Sequence, residues 1–252
     1  MPISWSAKKQ LSILAIFGAI IVLIVIGFIY YFIPEPTCFD NRKNQDEEEA
    51  DCGGSCIPCS KNIKDLTILW SRAFPVRDGI YDAAAFLENQ NQFLETKEFT
   101  YAVKLYDKSN ILIAIRENST FILPGERFII FEPNIATLNR VPAKAILETR
   151  SVKWVKKNPE PLKINVQKIS KFIEDESTSP RVEAEVKNAG TEDYQNIEAV
   201  AILRSSSDEV LGVSKTILDN LNINEEKTLT FTWPNSILGV DKVEILLRRV
   251  PK

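Results

Sequence analysis

Tyr101-Ala102-Val103-Lys104-Leu105-Tyr106 is the stretch that decides the fold class. Successive side chains of an extended chain point to opposite faces, so Tyr101, Val103 and Leu105 share one face and Ala102, Lys104 and Tyr106 the other. The first set belongs in a core. Working outward, the same period of two recurs through residues 62–155, with strands expected near 66–72, 81–88, 99–106, 111–117, 127–131 and 145–155. Asp78-Gly79, Lys108-Ser109-Asn110 and Pro124-Gly125 supply the turns between them. A second run, residues 162–250, has strands expected near 163–172, 181–187, 197–204, 210–218, 227–233 and 243–249. Short strands at regular spacing, without helical periodicity, predict an all-β chain of two antiparallel sandwiches.

Lys156-Lys157-Asn158-Pro159-Glu160-Pro161 separates the two runs, and its two prolines make it a short, stiff connection. The runs also match each other at an offset of about 99 to 100 residues, which suggests a duplicated domain. Glu88-Asn89 pairs with Lys187-Asn188, Ile111-Leu112 with Val210-Leu211, and Leu123-Pro124-Gly125-Glu126 plus Phe131 with Ile223-Asn224-Glu225-Glu226 plus Phe231. Asn89 and Asn188 end strands, where asparagine tolerates positive φ and forms Asx turns. The expected domains are residues 61–157 and 158–252.

Val103-Lys104-Leu105-Tyr106-Asp107 resembles the F-x-L-Y-D signature of a family of bacterial immunoglobulin-like domains, with Val103 in place of the Phe. The second run, through Glu183 to Thr191 and Leu221 to Glu226, is similar to CARDB-type adhesion-related domains. The resemblance implies two tandem immunoglobulin-like sandwiches with a binding, adhesion or scaffolding role. Neither run contains cysteine, so packing alone must hold each core.

At the other end of the chain, Leu11 to Ile33 is an apolar run without a charge, preceded by Lys8 and Lys9. As a helix it would be roughly 34 Å long, enough to cross a hydrocarbon core of about 30 Å. A cleaved secretory signal is the rival reading, but its apolar region is shorter and ends in small residues, whereas this one exits through Tyr30-Tyr31-Phe32-Ile33-Pro34. The expectation is an uncleaved anchor over 11–33. The lysines before it and the acids Glu35 and Asp40 after it put residues 1–10 in the cytoplasm and the remainder outside.

All four cysteines, Cys38, Cys52, Cys56 and Cys59, fall in the segment 34–60 just beyond that run. An even number outside the cytoplasm reads as two disulfides, in any of three connectivities. Zinc is disfavoured because Cys38 and Cys52 lack the knuckle spacing of Cys56-x-x-Cys59. The segment resembles a C-x-D-G-x-x-N-x-x-E-x-x-x-D-C-G-G-x-C-x-x-C repeat of bacterial surface proteins, with Asn41 where the pattern has Gly. That resemblance implies a weak Ca²⁺ loop, with Asp40, Asn44, Asp46, Glu47 and Asp51 as candidate oxygen ligands. The alternative is a plain solvated acidic stalk stapled by the cystines.

The 252 residues carry a formal net charge of -3 and no histidine. There is no basic footprint for nucleic acid, and the commonest general base and metal ligand is absent. No nucleophile elbow or phosphate loop occurs either. The expected function is non-enzymatic: a single-pass surface protein binding a protein or glycan, or scaffolding the envelope. The alternative is an accessory subunit of a membrane-embedded secretion or pilus-type complex.

Overall fold

The computed structural model describes residues 5–32, 37–38, 40, 42–56, 59, 63–150, 152–172 and 180–251, with nothing described of the side chains at 6–8, 11–13, 26 and 29–32. Contacts divide the chain into Met1–Asn62 and Ile63–Lys252. The first unit holds one helix, α1 (Trp5–Phe32), of 28 residues, with the Lys9 ammonium 5.4 Å from the Trp5 ring centre. Over the described residues no helix is long and apolar enough to cross a membrane. The expected exit of the apolar run at Ile33 and Pro34 lies outside the described residues, as does Asn41.

The second unit is all-β and antiparallel. Its first half contains β1 (Thr67–Arg77), β2 (Ile80–Glu88), β3 (Leu94–Tyr106), β4 (Leu112–Ile122), β5 (Arg127–Ala136), β6 (Lys144–Thr149) and the two-residue β7 (Val155–Lys156). Its second half contains β8 (Ile164–Phe172), β9 (Arg181–Asn188), β10 (Tyr194–Arg204), β11 (Val210–Leu221), β12 (Glu226–Thr232) and β13 (Lys242–Arg249). In the first half one sheet runs β1-β2-β5 and the other β4-β3-β6, with β7 pairing β3. In the second half the sheets run β12-β9-β8 and β11-β10-β13. Each half thus repeats the same strand order. The alternation read from Tyr101 to Tyr106 holds: Tyr101, Val103 and Leu105 join Ala83, Ala85, Leu87, Phe128 and Ile130 in one core shared by both sheets. Val182, Ala184, Val186, Ile197, Ala199, Leu203 and Phe231 do the same in the second half.

Strand register places the duplication more exactly than the sequence match does. Asn89 and Asn188 are equivalent and fully buried, and neither has positive φ. Each instead caps its loop: Asn89 Nδ2 donates to the carbonyls of Leu94 and Leu123, and Asn188 Nδ2 to those of Glu192 and Leu221. Both carbonyl oxygens accept the N–H two residues on, the Asx turn. Glu126 and Glu225 are the next equivalent pair, each accepting the N–H three residues before it, from Leu123 and Asn222. Before them, Gly125 and Asn224 share a left-handed φ near 60°. Phe131 and Phe231, matched by sequence, are one position out of register. Phe131 faces away from its core and Phe231 into it, because a shift of one residue turns a side chain through the sheet.

The two sandwiches press together. Ala84, Phe86 and Ile129 on the outer face of β1-β2-β5, with Trp70, Phe74 and Phe131 beside them, form a third core with Val200, Ile202, Val210 and Val213 from the outer face of β11-β10-β13. Strands β2 and β10 are therefore buried on both sides, which is why Ala83-Ala84-Ala85-Phe86-Leu87 and Ala199-Val200-Ala201-Ile202-Leu203 are continuous apolar runs instead of alternating ones. Strand register makes Glu185 of β9 the equivalent of Phe86 in β2. Phe86→Glu should therefore leave each sandwich folded and open the contact between them. The expected cost is about 3 kcal/mol or more, with calorimetry showing two transitions where the wild-type unit shows one.

Candidate functional site

In the cysteine segment the cystines are Cys38–Cys56 and Cys52–Cys59, with Cα separations of 5.6 and 4.8 Å, and no cysteine is free. The two bridges interleave along the chain. They close a tight turn in which the N–H groups of Glu48 and Glu49 both reach the Cys52 carbonyl. Gly54 has φ 56°, and a Cβ there would lie 2.3 Å from the Asp46 carbonyl oxygen, so only glycine fits.

Three of the candidate calcium ligands, Asp40, Asp46 and Glu47, already accept hydrogen bonds from neighbouring donors, whereas the Asn44 side-chain oxygen is buried without one. Asp40 accepts the N–H groups of Thr37 and Arg42 and the Asn44 side-chain amide at 2.7 Å. Partial burial opposes these bonds, but together they hold the Asp40 carboxyl below its ordinary range. Asp46 accepts the Ser55 hydroxyl at 2.8 Å, and this depresses its carboxyl too. Glu47, almost fully buried, accepts the Asn44 N–H. Two groups of acid and sulfur atoms converge among the described residues, Cys38 with Glu47 and Cys56, and Glu49 with Cys52 and Cys59. Asp40, Asp46 and Asp51 belong to neither, and in both groups the sulfurs are bonded to each other. Each group is reduced to a single carboxylate. Neither group by itself supplies the six to eight oxygens of a Ca²⁺ shell.

Chemistry concentrates instead where the two sandwiches meet. Arg248, near the end of β13, is buried. Its guanidinium lies 3.9 Å from the Phe121 ring centre and 4.7 Å from that of Phe128, both in the first sandwich. Its Nη2 donates to the Phe121 carbonyl at 2.7 Å and to Glu126 Oε1 at 2.8 Å. Glu198 of β10 stands 3.8 Å from Nη1 and takes Lys215 at 2.7 Å on its other side. Burial pushes the Glu126 carboxyl up, against the pull of Arg248 and the Leu123 N–H. Burial likewise pulls the Arg248 guanidinium down, and Glu126 and Glu198 oppose that. A few residues away the Tyr101 hydroxyl donates to buried Glu132 at 2.6 Å, and the Asn118 amide donates to the same oxygen at 3.2 Å.

Over this contact opens a cleft of about 690 Å³, walled by the Leu123–Glu126 turn, the linker from Lys157 to Leu162, and the end of β13 with Pro251. Arg249 crosses it, bonded to Glu192 and Glu160, and Lys157 also reaches Glu160. Farther along the contact, Arg72 bonds Glu209 and the Val210 carbonyl, and Asn235 bonds the carbonyls of Pro75 and Val76. None of these residues stands out in the sequence. The one available signal was the loss of alternation in Ile245-Leu246-Leu247, which marks a strand covered on both faces.

No protein-family model matches the chain, and neither does any curated protein.

Two outcomes test the network. Arg248→Ala should lower stability by about 3–5 kcal/mol, because it leaves the Glu126 charge buried and unpaired; adding Glu126→Gln should return part of that loss in denaturant titrations. Tyr101 is held well above its ordinary value of 10.0, first by burial and then by its bond to Glu132. The folded state keeps a proton that the unfolded chain releases near pH 10, so Tyr101's contribution is complete below about pH 10 and declines as pH rises toward the folded value. Alkaline absorbance titration should show one tyrosine ionising only with unfolding, and Tyr101→Phe should abolish that lagging step.

Proposed function

We propose that this chain is a membrane-anchored, extracytoplasmic binding or scaffolding protein: α1 crosses the bilayer once, the cystine-closed segment follows it, and two immunoglobulin-like sandwiches form a rigid module beyond. One observation carries the reading. The described side chains of α1, from Leu14 through Phe17, Leu23 and Ile24 to Phe28, are apolar and exposed around the whole helix, with no polar stripe. Such a surface suits lipid, since a helix that is apolar all round belongs in a core or a membrane. Lys8 and Lys9 before it favour a cytoplasmic N-terminus, and paired cystines after it suit an oxidising compartment. The repeated strand order supports the immunoglobulin-like, CARDB-type assignment, with a β1-β2-β5 sheet facing a β4-β3-β6 sheet and its copy in the second half. Stiffness favours a binding platform, because the Arg248–Glu126 and Arg72–Glu209 ion pairs join the halves.

Impermeant protease added to spheroplasts tests the topology. Residues beyond the cystines should be cut away while a small membrane-embedded fragment containing α1 remains. Complete protection of the β unit would overturn the orientation, and release of the intact chain by alkaline carbonate would overturn the anchor.

A further inference from the structure

We propose that the cleft above the sandwich contact binds the ammonium or guanidinium of a lysine or arginine side chain on a partner polypeptide, with Glu95 as its counter-ion. This deepens the binding-module reading and rests on it. Glu95 lies at the start of β3, lines the cleft, and is 8% exposed. Its backbone pairs with Val155, which fixes it beneath the linker. Among the described residues its carboxylate has neither a hydrogen bond nor an ion pair, and it is not sealed from solvent. The other carboxylates of the cleft are matched from within the chain: Glu126 by Arg248, Glu192 by Arg249, Glu160 by Arg249 and Lys157. Lys97, two positions along the same strand, has an interaction of its own.

A carboxylate kept from bulk water without a partner is unfavourable, and a cation delivered to it from outside relieves that cost. The cleft has the size for a few residues, within the roughly 300–1,000 Å³ of ordinary ligand sites. Its walls include Leu123, Pro124, Pro159, Leu162 and Leu247. Those apolar surfaces suit the methylene stem of a long cationic side chain and the backbone that carries it, whereas a bare inorganic cation would use none of them. The prolines hold the walls in place before anything binds, which limits the ordering cost of association.

Calorimetric titration of the full chain in detergent micelles tests this with four probes: blocked Gly-Lys-Gly, blocked Gly-Arg-Gly, the same lysine tripeptide acetylated on Nε, and spermidine. The lysine or arginine tripeptide should bind saturably. Acetylation, which removes only the charge, and Glu95→Gln should each weaken binding by roughly tenfold or more. Equal affinity for the acetylated peptide, or unchanged affinity in Glu95→Gln, would overturn the inference, as would no heat from either charged tripeptide up to roughly 10 mM. Binding of spermidine without the tripeptides would overturn the polypeptide as its source. The acetylation arm needs no variant, so it decides the matter even where Glu95→Gln folds poorly. Membrane topology is read separately by protease, so failure here is distinguishable from failure of the anchored-module reading.

Discussion

The apolar contact between the outer faces of β1-β2-β5 and β11-β10-β13 is the constraint on which the rest of the β unit depends. It makes one body of what the linker prolines alone would leave as two tethered sandwiches. It also imposes a composition on β2 and β10 that a free sandwich strand would not tolerate, since both faces of each must be apolar. Small residues accompany large ones there: Ala83, Ala84 and Ala85 let the neighbouring sheets approach, and Phe86 fills the space so formed. The cleft, the Arg248 pin and the position of Glu95 exist because the sheets are held in this relation.

The contact joins unlike faces, so each sandwich keeps one outer face that the contact does not cover. Register shows how the covered and uncovered faces differ. Around Phe86 in the covered face lie Trp70, Ala84, Ile129 and Phe131. The equivalent positions in β12-β9-β8 are Lys168, Glu183, Thr228 and Thr230 around Glu185. Lys168 pairs with Glu185, and Arg181 with Glu183. At the other end, Ile202 and Leu246 of the docked face become Lys104 and Glu148, which pair with each other on the outer face of β4-β3-β6. One scaffold thus carries apolar faces where it is covered and ion pairs where it meets water.

The class of the fold was legible from alternation, and each expected strand of both runs is present, most of them extended by a few residues. The expected 145–155 strand is instead two, β6 and β7. Glu183 and Glu185 lie on a solvated face, and Trp70, Trp154 and Trp233 pack against the cores. What alternation could not supply was which outer faces are covered. That depends on contacts between residues more than a hundred positions apart, such as Arg72 with Glu209 and Arg248 with Glu126. The cystine pairing was illegible for a related reason. Three connectivities are equal in sequence, and the choice falls to the Gly53-Gly54 turn that brings Cys56 back toward Cys38 and leaves Cys52 facing Cys59.

The ionic pin at the edge of an apolar contact has a further consequence for geometry. A face built of Ala, Val, Ile and Phe packs well in several registers, since dispersion and area burial are nearly indifferent to small slides. A buried guanidinium is not indifferent. Arg248 has one position in which its planar group lies against Phe121 and Phe128 while Nη2 meets both the Phe121 carbonyl and Glu126. Displacing the second sandwich by one strand spacing, about 4.8 Å, would leave Arg248, Glu126 and Glu198 without their partners, and burying them so is strongly unfavourable. The apolar face supplies the attraction and the pin selects the register. Arg72 and Asn235, bonded to backbone carbonyls farther along the contact, fix the remaining rotation about the pin. Attachment at both places turns a sliding contact into a fixed angle, which is the property a binding cleft between two sandwiches requires.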